Sequence, residues 1–257
     1  MRIDICSVKI DSYSFDEVVE IILGHIRIGG KPKYVVTPNA HHVFLLKQHP
    51  YFRQIYENAF LVVPDGVSLL WAANILGVPL KGRVNGTDLF EALCATAACE
   101  GLKIFLLGGR PGAAQKAKEV LLKKHPNLEI SGLMSPSYGF EKDKKELKLI
   151  NDTIRAAKPH IVFVSLGAPK QEKWMYENYT ELQVPISIGI GISFELVSGI
   201  IQRAPRWAQR CGLEWFFRVI QEPKRLLPRY LVIIPYFLWV LLGNILFKNH
   251  FTYKKIR

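Results

Sequence analysis

Lys103-Ile-Phe-Leu-Leu-Gly-Gly-Arg-Pro-Gly-Ala-Ala-Gln-Lys-Ala-Lys-Glu-Val-Leu-Leu-Lys-Lys124 is the stretch that decides the fold. Residues 103–107, apolar after Lys103, are of strand length, 108–112 a tight glycine loop, and 113–124 a segment with apolar residues at helical spacing. The same order recurs outward. Downstream, 128–133 reads as a strand, 142–157 as a charged amphipathic helix and 161–165 as a strand. Gly167-Ala-Pro169 is then a loop, 170–179 a helix, and 185–190 a strand running into Gly191. Upstream, Ser14-Phe-Asp-Glu17 is a capping-box pattern. It opens a helix with Val18, Ile21, Ile22 and Ile26 on its apolar face, ended by Gly29-Gly30. A strand at 34–37 leads to Pro38 in the first turn of a helix reaching about residue 47. A strand at 60–63, a helix at 67–76 and another at 87–100 complete this half. Repeated strand, loop and helix predict an α/β fold with a Rossmann-like, mainly parallel sheet and helices on both faces.

A chain of 257 residues, 49% hydrophobic, is long for one ordinary domain and short for two. The expected division is an α/β catalytic body over 1–202 and a basic, apolar, helical C-terminal appendage over 203–257. Charge marks the boundary: residues 203–257 hold eleven of the 34 Lys/Arg but only two of the 22 Asp/Glu, Glu214 and Glu222. Such asymmetry calls for an anionic partner. Cys6, Cys94, Cys99 and Cys211 form no C-x-x-C pair and read as reduced thiols of a cytosolic protein. The N-terminus shows no signal-peptide pattern.

In the appendage, Trp207, Trp215, Phe216 and Phe217 alternate with arginines, and 231–247 are 17 residues without a charge, containing Pro235 and Asn244. That length is the lower limit for crossing ~30 Å of hydrocarbon. Lys248, Lys254, Lys255 and Arg257 follow, so both flanks are basic. The pattern predicts attachment to an anionic membrane surface and leaves spanning, dipping and lying flat open. A buried terminal helix or an oligomer interface suits the same composition.

Several chemistries are missing their motifs. There is no P-loop, no G-x-S-x-G and no H-E-x-x-H, and the adjacent His41 and His42 point different ways on a helix. Gly189-Ile-Gly191-Ile-Ser-Phe194 has Phe where a dinucleotide fingerprint needs its third glycine. No Asp-x-Asp is present to hold a divalent ion on a diphosphate, so arginines are the expected counter-charge and no metal or other cofactor is expected. What remains is a set of polar residues at strand ends: Thr37 and Asn39, Asp65, Arg83, Gln171 and Glu172. Ligands of open α/β sheets bind beyond the carboxyl ends of strands. Each residue also has a plain structural alternative. Asp65 suits a helix cap, Thr37 and Asn39 suit turn and cap positions, and Gln171 and Glu172 suit an exposed first helical turn.

Thr37-Pro-Asn39, Pro64-Asp65-Gly66, Arg83-Val-Asn-Gly-Thr-Asp88, Phe105-Leu-Leu-Gly-Gly109, Gly167-Ala-Pro-Lys-Gln-Glu172, Gly189-Ile-Gly191, Arg203-Ala-Pro-Arg-Trp207, Glu214-Trp215 and Glu222-Pro-Lys-Arg225 occur in this order. Together, over roughly residues 1–230, they resemble the WecG/TagA/CpsF family of bacterial glycosyltransferases. The resemblance implies inverting, metal-independent transfer of a hexose (N-acetylmannosamine-type or glucose) from a UDP-sugar to a polyprenyl-diphosphate-linked sugar. The family serves cell-wall teichoic acid and exopolysaccharide synthesis at the cytoplasmic face of the membrane. By the same resemblance Asp65 is the general base, and Thr37, Asn39, Arg83 and Gln171 line its pocket. Arg218 and Arg225 meet the diphosphate, and Tyr138 and Glu195 lie near the nucleotide. Glu195 stands where the family usually has Asp, and Pro228 where a further basic residue is common, with Arg229 beside it. The rivals are a nucleotide-dependent Rossmann oxidoreductase and a non-enzymatic basic membrane adaptor. Nucleic acid is not an expected partner, because the body is nearly neutral, and homo-oligomerisation is left open.

Overall fold

A computed structural model describes residues 2–246; Phe247 and the four basic residues after it lie outside the described residues. The chain opens with an antiparallel hairpin of β1 (Arg2–Ile5) and β2 (Val8–Asp11). There follow α1 (Phe15–Arg27), β3 (Lys33–Val36), α2 (Ala40–Gln48), α3 (Pro50–Asn58), β4 (Leu61–Val62), α4 (Val67–Ile75) and α5 (Gly86–Glu100). Next come β5 (Lys103–Gly108), α6 (Ala113–Lys124), β6 (Glu129–Met134), α7 (Lys144–Ala157), β7 (Ile161–Ser165) and α8 (Lys170–Leu182). The last elements are β8 (Ile186–Gly189), α9 (Ser193–Val197), α10 (Arg206–Arg210), α11 (Glu214–Gln221) and α12 (Pro223–Leu246).

Six strands form one parallel sheet in the order β4-β3-β8-β7-β5-β6. The expected α/β architecture is present, and side-chain alternation explains why both faces are covered. On β5, Phe105 and Leu107 enter one core while Ile104 and Leu106 enter the other. On β7, Val162 and Val164 part from Ile161 and Phe163 in the same way. A strand that is apolar at every position needs helices on both sides. Helices α2, α3, α4, α7 and α8 contribute to the first core, and α1, α5 and α6 to the second.

The structure departs from the sequence expectation at identifiable places. The β1–β2 turn is made by Cys6 and Ser7, both left-handed at φ 53° and 69°, with Asp4 Oδ1 accepting the Ser7 amide at 2.8 Å. No glycine announces that turn. Pro38 is not in a helix: Asn39 caps α2, and the Pro38 carbonyl accepts the amides of Asp65 and Gly66 at 3.0 and 3.3 Å. The tail is also more regular than Pro235 and Asn244 suggest, since α12 runs 24 residues through Pro228 and Pro235. Asn244 turns its amide back onto the Val240 carbonyl at 2.8 Å, so its polar group is satisfied within the helix. Two stripes run along α12. Leu226, Ile233, Phe237, Val240 and Leu241 are buried, the last three in the core shared with the sheet, and Tyr236 meets Phe44 of α2 edge-on at 5.1 Å. Leu231, Leu238, Trp239, Leu242 and Ile245 face outward and are exposed.

Candidate active site

In a parallel sheet all carboxyl ends emerge along one edge, so the loops after β3, β4, β5, β7 and β8 gather there. The loop after β4 presents Asp65. Its carboxylate does not cap α4, whose N-cap is Gly66 with no side-chain bond. It turns instead to the start of α5, where Asn85 Nδ2 and the Gly86 amide both donate to Oδ1, at 2.8 and 3.0 Å. Oδ2 takes neither bond. Arg83 donates Nε to the Asp65 carbonyl at 2.5 Å and pairs through Nη2 with Glu214 of α11. Burial pushes the Asp65 carboxyl above the ordinary aspartate range, partly offset by the Arg83 charge and the Gly86 amide. Arg203 closes this corner, pairing with Asp88 at 2.7 Å and donating to Asn85 Oδ1 at 3.3 Å.

The neighbouring loops are bound to this turn. Thr37 Oγ1 donates to the Gly189 carbonyl at 2.8 Å, tying the end of β3 to β8. Asn39 accepts the His41 amide at 3.0 Å as the cap of α2, and its side chain packs on Gly66 so closely that a Cβ there would stand 2.7 Å from Asn39 Cβ. Gln171 and Glu172 are not exposed first-turn residues: both are buried, Glu172 completely. Gln171 Oε1 accepts the Gly191 amide at 3.1 Å and its Nε2 donates to Glu172 at 2.8 Å. Glu172 in turn lies 3.2 Å from His42 Nε2, and His42 Nδ1 lies 3.1 Å from Asn39 Oδ1. Gln171 and Thr37 therefore hold the backbone of the β8 turn. His41 turns towards α12 and accepts from Arg229 through Nδ1. Burial and the Arg229 charge push its pKa down to about 3.

A second group lies beyond β5. Glu195 of α9 accepts the Arg110 amide at 2.9 Å, and its Oε2 is buried without a partner among the described residues. The Arg110 side chain pairs with Glu222, which also accepts from Arg218 at 2.6 Å and Arg225 at 2.5 Å. Burial raises the Tyr230 pKa; the charges of Arg229, Arg218 and Arg225 pull it down and that of Asp65 pushes it up. Asp65, Arg83, Thr37, Asn39 and Gln171 thus form one bonded constellation, with Glu195, Arg218 and Arg225 in the other. Tyr138 joins neither. It is fully exposed after β6, with only Lys170 Nζ over its ring at 5.0 Å.

Sequence reasoning passed over Arg110, Glu222, Asn85, His42 and Tyr230. Two of these carried a signal: Arg110 is a lone basic residue in a glycine loop at a strand end, and Glu222 is one of two acids in a basic tail. His42, Asn85 and Tyr230 matter through tertiary contacts alone. Among the described residues no three His, Cys, Asp or Glu side chains stand together as metal ligands.

Known proteins share this chain's pattern. The profile of the Glycosyl transferase WecG/TagA/CpsF family matches residues 3–251. A Bacillus subtilis (strain 168) protein is 35% identical over 191 residues, 72% of each chain. A Bacillus spizizenii protein is 31% identical over 195 residues, covering 76% of this chain and 74% of the relative. A Staphylococcus aureus (strain MW2) protein is 28% identical over 226 residues, 88% of this chain and 87% of the relative. All three are named N-acetylglucosaminyldiphosphoundecaprenol N-acetyl-beta-D-mannosaminyltransferase. The oxidoreductase and adaptor alternatives fall to a match of this length. With the strand-end carboxylate, the converging arginines and the apolar tail already in place, the chain belongs to the WecG/TagA/CpsF family and is a glycosyltransferase.

Proposed function

We propose that this enzyme transfers a hexose, N-acetylmannosamine in the first instance, from its UDP derivative to N-acetylglucosaminyl-diphosphopolyprenol, inverting the anomeric carbon without a metal ion. The sugar and acceptor follow the names of the relatives. The observation that carries the chemistry is Asp65, a half-buried carboxylate whose described hydrogen bonds fall on Oδ1, with a raised pKa and the Arg83 guanidinium beside it. Oδ2 is left to accept the acceptor hydroxyl's proton as that oxygen attacks C1 from the face opposite UDP. A C1–O bond forms, the bond from C1 to the β-phosphate oxygen breaks, and UDP leaves with the electron pair. Arg83, Arg218 and Arg225 stabilise the charge that grows on the departing diphosphate. EDTA is expected to leave turnover unchanged; activity lost in EDTA and restored by Mg²⁺ or Mn²⁺ overturns the metal-free step.

The acceptor's lipid places the work at a membrane surface. The outward stripe of α12, with Lys224, Arg225 and Arg229 in its first turns, suits an anionic leaflet in which the helix lies rather than spans. Alone, α12 is long and apolar enough to cross a membrane, but its inner stripe is packed on the body. Incubation with a panel of UDP-sugars and a short-chain GlcNAc-diphosphoprenol, followed by product masses, tests the whole proposal. A mass increase of one N-acetylhexosamine supports it, and no sugar transfer from any UDP-sugar overturns it.

A further inference from the structure

Glu222 sits at the junction of α11 and α12 and receives three guanidinium groups from three places. Arg110 comes from the loop after β5, Arg218 from α11 and Arg225 from the first turn of α12. One carboxylate against three guanidiniums leaves two positive charges in excess. Crowding like charges is unfavourable, more so where water is partly excluded. Burial lowers the pKa of Arg218, and its Nη1 is buried without an acceptor among the described residues. The cluster therefore has donors and charge for more anion than Glu222 supplies. Fork-shaped guanidiniums around a small anion are the geometry that recognises phosphate oxygens. The body's member is also held in place: Glu195 fixes the Arg110 backbone amide at 2.9 Å. A clamp needed only to fasten the appendage would be complete with Arg110 and Glu222 alone.

We propose that Arg110 is a diphosphate-binding residue of the transfer site, and that Glu222 is the resident carboxylate that holds the three guanidiniums until a diphosphate ester displaces it. This rests on the transferase function proposed above. The shared chemistry is an esterified diphosphate, present both in the nucleotide and in the prenyl lipid. Displacement would free Glu222 from all three arginines, so that the appendage is fastened to the body through the ligand instead of through the protein's own acid.

Titration calorimetry of the full chain with UDP and, separately, with farnesyl diphosphate tests this on the wild type, Glu222→Gln and Arg110→Met. Arg110→Met is expected to weaken one of the two ligands about tenfold, the loss of a charge-assisted pair. Glu222→Gln, which removes the competing charge, is expected to tighten that same ligand about three- to tenfold. The ligand that responds identifies which diphosphate occupies the seat. Weakening by Glu222→Gln would make Glu222 a positioning residue and overturn the displacement. No effect of Arg110→Met on either ligand would overturn the seat itself. Arg110 lies on an exposed loop, so its variant keeps the test decisive even if Glu222→Gln fails to fold. Binding of neither ligand to the wild type would overturn the transferase function along with this inference, whereas normal wild-type binding confines failure to the inference.

Discussion

Burial works against the charge of Asp65, the residue to which the proposed function gives the role of base. Its folded-state pKa lies above the ordinary aspartate value because burial disfavours the charge. Between the unfolded and folded pKa values the native state binds more protons, so ionisation takes stability away as pH rises through that window. Asp65→Asn keeps an acceptor for Asn85 and Gly86 and removes the charge, so its melting temperature at pH 7.5 is expected to equal or exceed the wild type's. Calorimetry reads this directly, and a clear fall would mean the carboxylate is there for stability. With Asp65 as the proposed base, which must be ionised to work, the acid limb of the kcat profile is expected above the pH at which an unperturbed aspartate titrates. Gln171 is the opposite kind of residue. Buried between the Gly191 amide and Glu172, it leaves both unsatisfied when cut back, so Gln171→Ala is expected to cost about 1–3 kcal/mol in denaturant unfolding. Asp65 was legible as a carboxylate in a Pro-Asp-Gly turn. Whether it capped its own helix or reached another depended on Asn85 and Gly86, twenty residues away, which periodicity does not reveal.

Among elements, those with clear helical spacing or an unbroken apolar run were legible nearly to the residue: α1 with its capping box, α6 after its glycine loop, and β7. The β1–β2 hairpin was not, because its turn uses Cys6 and Ser7. Nor was the path of α12, because its two prolines announce breaks that the packing on α2 overrides. That packing carries a pH dependence. His41 accepts from Arg229 through Nδ1 and must be neutral to do so, consistent with its pKa of about 3. A histidine buried neutral contributes stability above its unfolded pKa of 6.5, lost progressively as pH falls towards about 3. Protection factors in α12, corrected for the intrinsic pH dependence of exchange, are therefore expected to fall between those limits, and His41→Asn should flatten the response. Protection in α12 that is constant over this range would separate His41 from the docking of the tail.

At the scale of the molecule, charge suggested a division after residue 202, and how the residues that follow join the rest was not legible. Both acids of the tail, Glu214 and Glu222, lie on body arginines, Arg83 and Arg110. The inner stripe of α12 completes a core face of the body. Removal of residues 203–257 is therefore expected to lower the melting temperature as well as to abolish turnover. A fully active body on a water-soluble acceptor would remove the appendage from the site. Leu238→Glu with Leu242→Glu, both on the outward stripe, should leave the melt unchanged and release the protein from anionic vesicles in a sedimentation assay. The central claim is that the Asp65 carboxylate takes a proton in the transfer step while arginines hold the diphosphate. Its most direct test is Asp65→Asn, measured for both UDP affinity and kcat. The expected result is kcat lower by about a hundredfold to ten-thousandfold with UDP affinity within about threefold of wild type. A parallel loss of both, or a kcat left intact, would contradict it.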